Sequence, residues 1–213
     1  RDFKVNENVL IPRPETEIII NVSIEFLSTK KNPYIVDVGT GSGCIGITLA
    51  KEFPSAQVIA IDYSESILDI ARENARSVGA KNIEFIKFDF LKENFNYLAD
   101  LIVSNPPYIS CKEMSSLMVD VKEYEPHIAL SDKMDGLEFY RVFSNKLNDI
   151  IKDEGSLIVE VGNGDHPLKV KRLFEESGHD KVEMIKDYNK DIRVLKVIKG
   201  WISFFLSSKL QGL

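Results

Sequence analysis

The sequence is poor in the residues that hold metals and disulfides. Its two cysteines, Cys44 and Cys111, lie in different segments without a CxxC pair, and its three histidines form no cluster at metal-ligand spacing. This excludes a disulfide framework, gives no basis for a metal site, and suits two reduced thiols in a cytoplasmic protein. No stretch approaches the ~18 consecutive apolar residues of a membrane span, so no membrane partner is expected. A basic run is also missing: 27 Lys and Arg are scattered among 33 Asp and Glu, for a net charge of −6. Such a chain has no global attraction for polyphosphate, and no direct nucleic-acid partner is expected. Internal repeats and low-complexity segments are absent too.

What is present is an ordinary globular mixture, 44% hydrophobic and 28% charged over 213 residues, enough for one α/β domain or a domain with a small appendage. Residues 3–11, "FKVNENVLI", read as two short strands around a polar Asn6-Glu7-Asn8 turn. "PRPETE" follows, and a helix covers "IIINVSIEFL". A regular alternation then begins. Strands are expected at 34–39, 57–62, 83–89, 100–105 and 156–162, and helices at 44–53, 66–79, 137–152 and 167–177. Strands alternating with helices of 10–15 residues predict a mostly parallel sheet covered on both faces. Two last strands, near 180–187 and 192–198, lack an intervening helix and predict an antiparallel hairpin at one edge. The tail, "GWISFFLSSKLQGL", is apolar but too short to span a bilayer, and its role is open.

The first strand runs into "VDVGTGSGCIG". Gly39, Gly41 and Gly43, with Thr40 and Ser42 between them, lie where the backbone must turn sharply and approach a ligand that a Cβ would obstruct. The N–H groups of the following helix would then face that ligand. Asp62 ends the second strand, 19 residues after Gly43, where an acidic side chain accepts from both ribose hydroxyls. Gly41-x-Gly43-x-x-Gly46 formally satisfies the dinucleotide fingerprint, so NAD is one candidate. The earlier Gly39 and the acid Asp37 point elsewhere. "D-x-G-x-G-x-G" resembles motif I of the class I S-adenosylmethionine-dependent methyltransferases. That resemblance implies that "FDF", 88–90, flanks the adenine, with Asp89 accepting from its amine and Phe90 against the ring.

The fourth strand, "DLIVSN", ends in "NPPY". Prolines stop a strand because they lack an N–H and fix φ. Alone, they could be no more than that. In a sheet of this kind, however, ligands sit outside the carboxyl ends of the strands at the switch point. Asn105, Pro106, Pro107 and Tyr108 would therefore face the reacting group. A nitrogen conjugated to a carbonyl or an aromatic ring is a poor nucleophile and needs no base before attack. It gains from having both hydrogens held. Asn105 offers a side-chain carbonyl and Pro106 a backbone carbonyl, frozen in place by the prolines, and Tyr108 offers a flat face. "NPPY" is shared by methyltransferases of glutamine amides and of exocyclic base amines, so the class of nitrogen is indicated and the molecule is not.

Other segments narrow the choice. "VLIPRPETE", "VDVGTGSGCIGITLA", "IVSNPPYI", "VKEYEPHIAL", "DGLEFYR" and "KDYNKDIRVLKV" together resemble the protein-(glutamine-N5) methyltransferases of peptide chain release factors, the PrmC/HemK family, over about residues 3–198. The resemblance implies methylation of the glutamine in the release factor's Gly-Gly-Gln loop, with S-adenosylmethionine as donor and S-adenosylhomocysteine as product. It implies that Arg13, Glu15 and Thr16 line the pocket beside cofactor and glutamine, and that Glu125 belongs to a lid near the acceptor. His127 is assigned a structural place, since no proton need leave before attack. Two departures stand out: the family's glutamine after the "E-x-G" strand is missing from "EVGNGDHPLKV", and its "GG" before "DGL" reads "SDKM".

The expected architecture is a class I methyltransferase: Rossmann-like, with a mostly parallel seven-stranded sheet and an antiparallel edge hairpin, preceded by a short β-hairpin remnant. Residues 1–30 would be that hairpin and a linker helix left from a helical N-terminal substrate-binding domain, 31–199 the catalytic domain, and 200–213 a tail. The expected reaction is direct SN2 transfer to a release factor. The rivals are an adenine-N6 DNA or RNA methyltransferase, which would need a basic groove and a base-flipping apparatus, and a non-catalytic methyltransferase-like subunit.

Overall fold

A computed structural model describes residues 1–114, 126 and 130–200. Its centre is a seven-stranded sheet of order β3-β2-β1-β4-β5-β7-β6, with β1 Tyr34–Val38, β2 Gln57–Asp62, β3 Ile83–Lys87, β4 Ala99–Ser104, β5 Ile151–Glu160, β6 Val182–Lys186 and β7 Ile192–Ile198. β1 pairs parallel with β2 and β4, β2 with β3, and β4 with β5, whereas β7 runs antiparallel to both β5 and β6. The mostly parallel sheet with an antiparallel edge is thus as expected.

The central strands read as unbroken apolar runs because helices cover both faces. On one face α1, Thr16–Leu27, and α2, Cys44–Glu52, bury Ile18, Ile19, Leu27, Ile45 and Leu49 against Ile35, Val58, Leu101 and Val103. On the other, α5, Glu138–Ile150, and α6, His166–Glu176, bury Tyr140, Phe143, Val170 and Phe174 against Val36, Ile102, Leu157 and Val159. α3, Glu65–Val78, closes at Gly79, whose left-handed φ of 73° lets its N–H and that of Ala80 reach back to the last turn. A single turn, α4, spans Cys111–Met114. Because β1 lies between β2 and β4, the chain's winding reverses there. A crevice opens at the carboxyl ends of these strands.

Two expectations change. Residues 3–11 form no strand. The turn survives, with the Val9 N–H donating to the Asn6 carbonyl at 3.2 Å and the Asn8 N–H to Asn6 Oδ1 at 2.9 Å. The arms do not pair, since an isolated two-stranded hairpin is marginal in water. Instead the segment is pinned to α3: the Lys4 N–H donates to Asn74 Oδ1 at 2.8 Å, and Asn74 Nδ2 donates to the Lys4 carbonyl at 3.0 Å. β5 also begins at Ile151, directly after α5, rather than at 156. Its exposed Lys152, Asp153 and Glu154 disguise the first half, and Glu154 takes a positive φ of 60° beside a register shift opposite Ala99 and Leu101.

Candidate active site

The crevice holds a pocket of about 350 Å³. One wall is the turn between β1 and α2. Asp37, 1% exposed, accepts from the Thr40 hydroxyl at 2.6 Å and the Gly46 N–H at 2.9 Å. Burial pushes its carboxyl up to about 6, against the pull of those two donors. A Cβ on Gly46 would stand 2.9 Å from Asp37 Oδ2, so glycine is what lets the helix start close over the acid. With the turn held from beneath, Gly39 and Gly41 face the pocket at φ 68° and 55°. No atom lies within 4 Å of the Cβ that either would carry, so any side chain there would enter the ligand space. Thr40, Ser42 and Gly43 lie behind this surface. The Thr40 hydroxyl is committed to Asp37, the Ser42 carbonyl accepts from Asn74 Nδ2 at 2.9 Å, and the Gly43 N–H donates to the Thr40 carbonyl at 2.9 Å. Asn74, which the sequence reading passed over, therefore ties both the glycine turn and the Lys4 segment to α3.

At the end of β2, Asp62 lines the pocket and accepts the Gly41 N–H at 3.1 Å through Oδ2. Burial raises its carboxyl above the ordinary range, and neighbouring backbone N–H groups oppose the rise. Phe88, Asp89 and Phe90 line the far end. Asp89 accepts from the Leu91 N–H at 3.2 Å and Lys92 Nζ at 2.8 Å. Phe90, 4% exposed, packs 4.7 Å from Phe143, so its ring is anchored in the core and only borders the pocket. Asn8, Val9 and Leu10 close one side, and Ser131 to Lys133 with Phe139 another.

The opposite wall begins where β4 stops. The Ser104 hydroxyl donates to the Val38 carbonyl at 2.8 Å, locking β4 to β1 at the rim. Asn105 and Pro107 line the pocket. Behind them, Asn105 Nδ2 donates to Thr16 Oγ1 at 3.4 Å, and the Thr16 hydroxyl donates to Glu160 Oε2 at 3.0 Å. Tyr108 turns back over β5, its ring 5.9 Å from that of His166 and against Gly162. Its phenol is pushed up to about 12 by burial and then by the charge of Glu160. At Gly136, φ 80°, a Cβ would come within 2.2 Å of the Tyr108 carbonyl, so this glycine permits the turn after the prolines.

Gly39, Gly41, Asp62, Asp89, Phe90, Asn105 and Pro107 thus line one pocket, and Thr16 meets Asn105 from behind that wall across 89 positions. Arg13, Glu15 and Thr16, expected in that pocket, are not among its lining residues. Arg13 and Thr16 both line a second pocket of about 480 Å³, with Pro12, Pro14, Cys44 and Thr48, beside α1 and α2. The charges of Arg13 and Glu15 both bear on the Tyr108 phenol, in opposite directions. Glu125 and His127 lie outside the described residues. Glu160 was missed as a site residue. Its signal was an acid inside the apolar run "SLIVEV", at the pocket end of a buried strand.

The geometry can be set beside known proteins. A family model described as "Methyltransferase domain" matches residues 29–199. "Release factor glutamine methyltransferase" of Bacillus subtilis strain 168 is 39% identical over 92% of this chain and 69% of its own length. The chain belongs to the release factor glutamine methyltransferase family. The relative of that name in Fusobacterium nucleatum is 40% identical over 93% of this chain but 57% of itself, so the chain spans little more than half of that protein. Among solved structures, ribosomal protein L11 methylase from Lactobacillus delbrueckii subsp. bulgaricus superposes with a TM-score of 0.63 at 20% identity, over 90% of this chain and 82% of its own. A methyltransferase from Pyrococcus furiosus gives 0.63 at 19%, over 93% and 89%. These two share the fold. In this chain the glycine turn, through Gly39 and Gly41, and the turn after β4, through Asn105 and Pro107, line the same crevice. Among the described residues, no helix is long and apolar enough to cross a membrane, and no group of three or more His, Cys, Asp or Glu forms a metal site.

Proposed function

We propose that this chain methylates the N5 amide nitrogen of the glutamine in the Gly-Gly-Gln loop of peptide chain release factors, with S-adenosylmethionine as donor. The observation that carries the reading is the meeting of Asn105 and Pro107 with Gly39, Gly41 and Asp62 around a single pocket. The donor fits the residues present. Gly39 and Gly41 present bare backbone to open space, Asp62 stands at the end of β2 for ribose hydroxyls, and Phe88 with Asp89 offers an apolar slot with an acceptor for a purine. When bound, S-adenosylmethionine supplies an electrophilic methyl on a sulfonium sulfur, and SN2 displacement leaves S-adenosylhomocysteine.

The protein's own residues then have a limited task. A carboxamide nitrogen is weakly nucleophilic because its lone pair is delocalised into the carbonyl. Asn105 Oδ1 and the Pro106 carbonyl each take one amide hydrogen, which turns the lone pair toward the methyl. The prolines keep those acceptors from rotating away. A neutral Asn does this without titrating, and the amide's extra proton leaves to water after the bond forms. Tyr108, packed against His166 and Gly162, closes the face behind the acceptor.

The test is transfer of labelled methyl from S-adenosylmethionine to intact release factor, to DNA and to RNA in parallel. We expect label in the release factor, mapped by mass spectrometry to the glutamine side chain. Label in nucleic acid alone would overturn the reading in favour of a base-amine methyltransferase.

A further inference from the structure

Glu160 is 2% exposed and ends β5 behind the acceptor wall, where a glutamine or leucine would pack without the cost of a buried charge. Its Oε2 accepts the Thr16 hydroxyl at 3.0 Å, and Thr16 Oγ1 in turn accepts Asn105 Nδ2 at 3.4 Å. Resting on the methyl-transfer reading above, we propose that Glu160 is a positioning residue: through the Thr16 hydroxyl its carboxylate decides which end of the Asn105 amide faces the acceptor.

A threonine hydroxyl has one hydrogen and spare lone pairs. An ionised carboxylate only accepts, so the Thr16 hydrogen is committed to Glu160 and only lone pairs remain for Asn105. Asn105 must then turn its NH2 toward Thr16, which leaves Oδ1 as the end available to hold an amide hydrogen in the pocket. A protonated Glu160 removes this constraint. It donates to Thr16, the hydroxyl hydrogen is released, and the Asn105 amide is free to turn over. Its NH2 would then confront the NH2 of the acceptor.

The groups around Glu160 set where this switch falls. Burial pushes its carboxyl up from 4.5 to about 7, with the charge of Glu15, just before α1, in the same direction. The Thr16 hydroxyl, Arg193 of β7 and the Tyr108 hydroxyl oppose it. Cys44 at the start of α2 feels its charge, and the Tyr140 hydroxyl of α5 donates to its backbone carbonyl at 2.7 Å. The ionised form that orders Asn105 therefore predominates above neutrality and fades below it.

Three forms of the chain test this: wild type, Glu160→Gln, which still offers Thr16 an oxygen but does not titrate, and Glu160→Leu, which offers none. Methyl transfer to intact release factor is followed from pH 6 to 8.5, with calorimetric binding of S-adenosylmethionine and nitrogen-15 spectra of the Asn105 side-chain amide. In the wild type, kcat should fall about tenfold per pH unit below ~7 while cofactor affinity holds, and the Asn105 amide signals should titrate with the same midpoint. Glu160→Gln should keep most of the high-pH kcat and lose both titrations. Glu160→Leu should lose at least tenfold in kcat at every pH with KM and cofactor affinity unchanged. Asn105 signals that ignore pH in the wild type, or Glu160→Leu with the wild-type kcat, would overturn the proposal. If the wild type transfers no methyl at all, the functional reading fails, and the amide titration alone still decides the role of Glu160.

Discussion

On one wall of the pocket Asp37 holds backbone: its carboxylate takes the Gly46 N–H and the hydroxyl of Thr40, all within ten positions of chain. On the other wall Glu160 holds a side chain that holds another side chain, linking positions 16, 105 and 160 from three separate elements. Both acids are buried, and both have carboxyls raised by burial. The first is built into a local turn and shapes a surface of bare glycine. The second is tied to a polar network whose members are set by the tertiary fold, with Thr16 on α1, Asn105 after β4 and Arg193 on β7. In the proposed reading the backbone wall takes the donor, a ligand that is always the same. The side-chain wall takes the acceptor and can be tuned one residue at a time.

The difference can be broken at several points. The largest effect is expected from Asn105→Ala: methyl transfer should fall about 10²–10³-fold, the usual loss for one oriented polar partner of a reacting group, in single-turnover assays. Next comes Gly136→Ala, whose new Cβ would lie 2.2 Å from the Tyr108 carbonyl at a φ of 80°. It should cost on the order of 3 kcal/mol in a denaturant titration and distort the acceptor wall from behind. Asp62→Asn, on the donor wall, should weaken cofactor binding by about 10–100-fold in calorimetry, the value of a hydrogen bond to a charged group. Gly41→Ala meets no atom within 4 Å. Its stability loss should stay near the ~1–2 kcal/mol of a left-handed residue, while its methyl intrudes on the ligand and lowers cofactor affinity.

A separate effect, on stability alone, concerns pH. The folded state holds the Glu160 proton more tightly than the unfolded chain, at about 7 against 4.5. Stability from this group is therefore complete below the unfolded value and is lost as pH rises through 7. Asp37 acts in the same sense between 3.8 and about 6. Melting temperature should thus decline from pH 5 to pH 8, and Glu160→Gln should reduce that decline. A variant that is more stable at pH 8 and yet insensitive to pH in its kinetics would separate the site's chemistry from its packing.

These two walls also differ in how readily the sequence discloses them. Asp37, the glycines and Asp62 announce themselves because a turn and its supporting acid are contiguous, and strand ends are marked by apolar runs. "NPPY" is visible for the same reason. Glu160 is marked only as an acid in an apolar strand, and its meaning comes from Thr16 and Arg193, which only the fold brings near. Arg13 follows the same rule in reverse: its motif is conspicuous, but the turn into α1 carries it to a neighbouring pocket. The first half of β5 was hidden by exposed Lys152, Asp153 and Glu154, and residues 3–11 have strand composition without a partner strand. Pattern along the chain reports what neighbours in sequence can stabilise. It is silent on contacts made by folding.

The claim that the two walls act separately is tested most directly by titrating S-adenosylmethionine into Asn105→Ala in a calorimeter. The account predicts an affinity within about threefold of wild type, a change under ~1 kcal/mol, in a protein that no longer transfers methyl to release factor. Loss of cofactor affinity with turnover retained would contradict it.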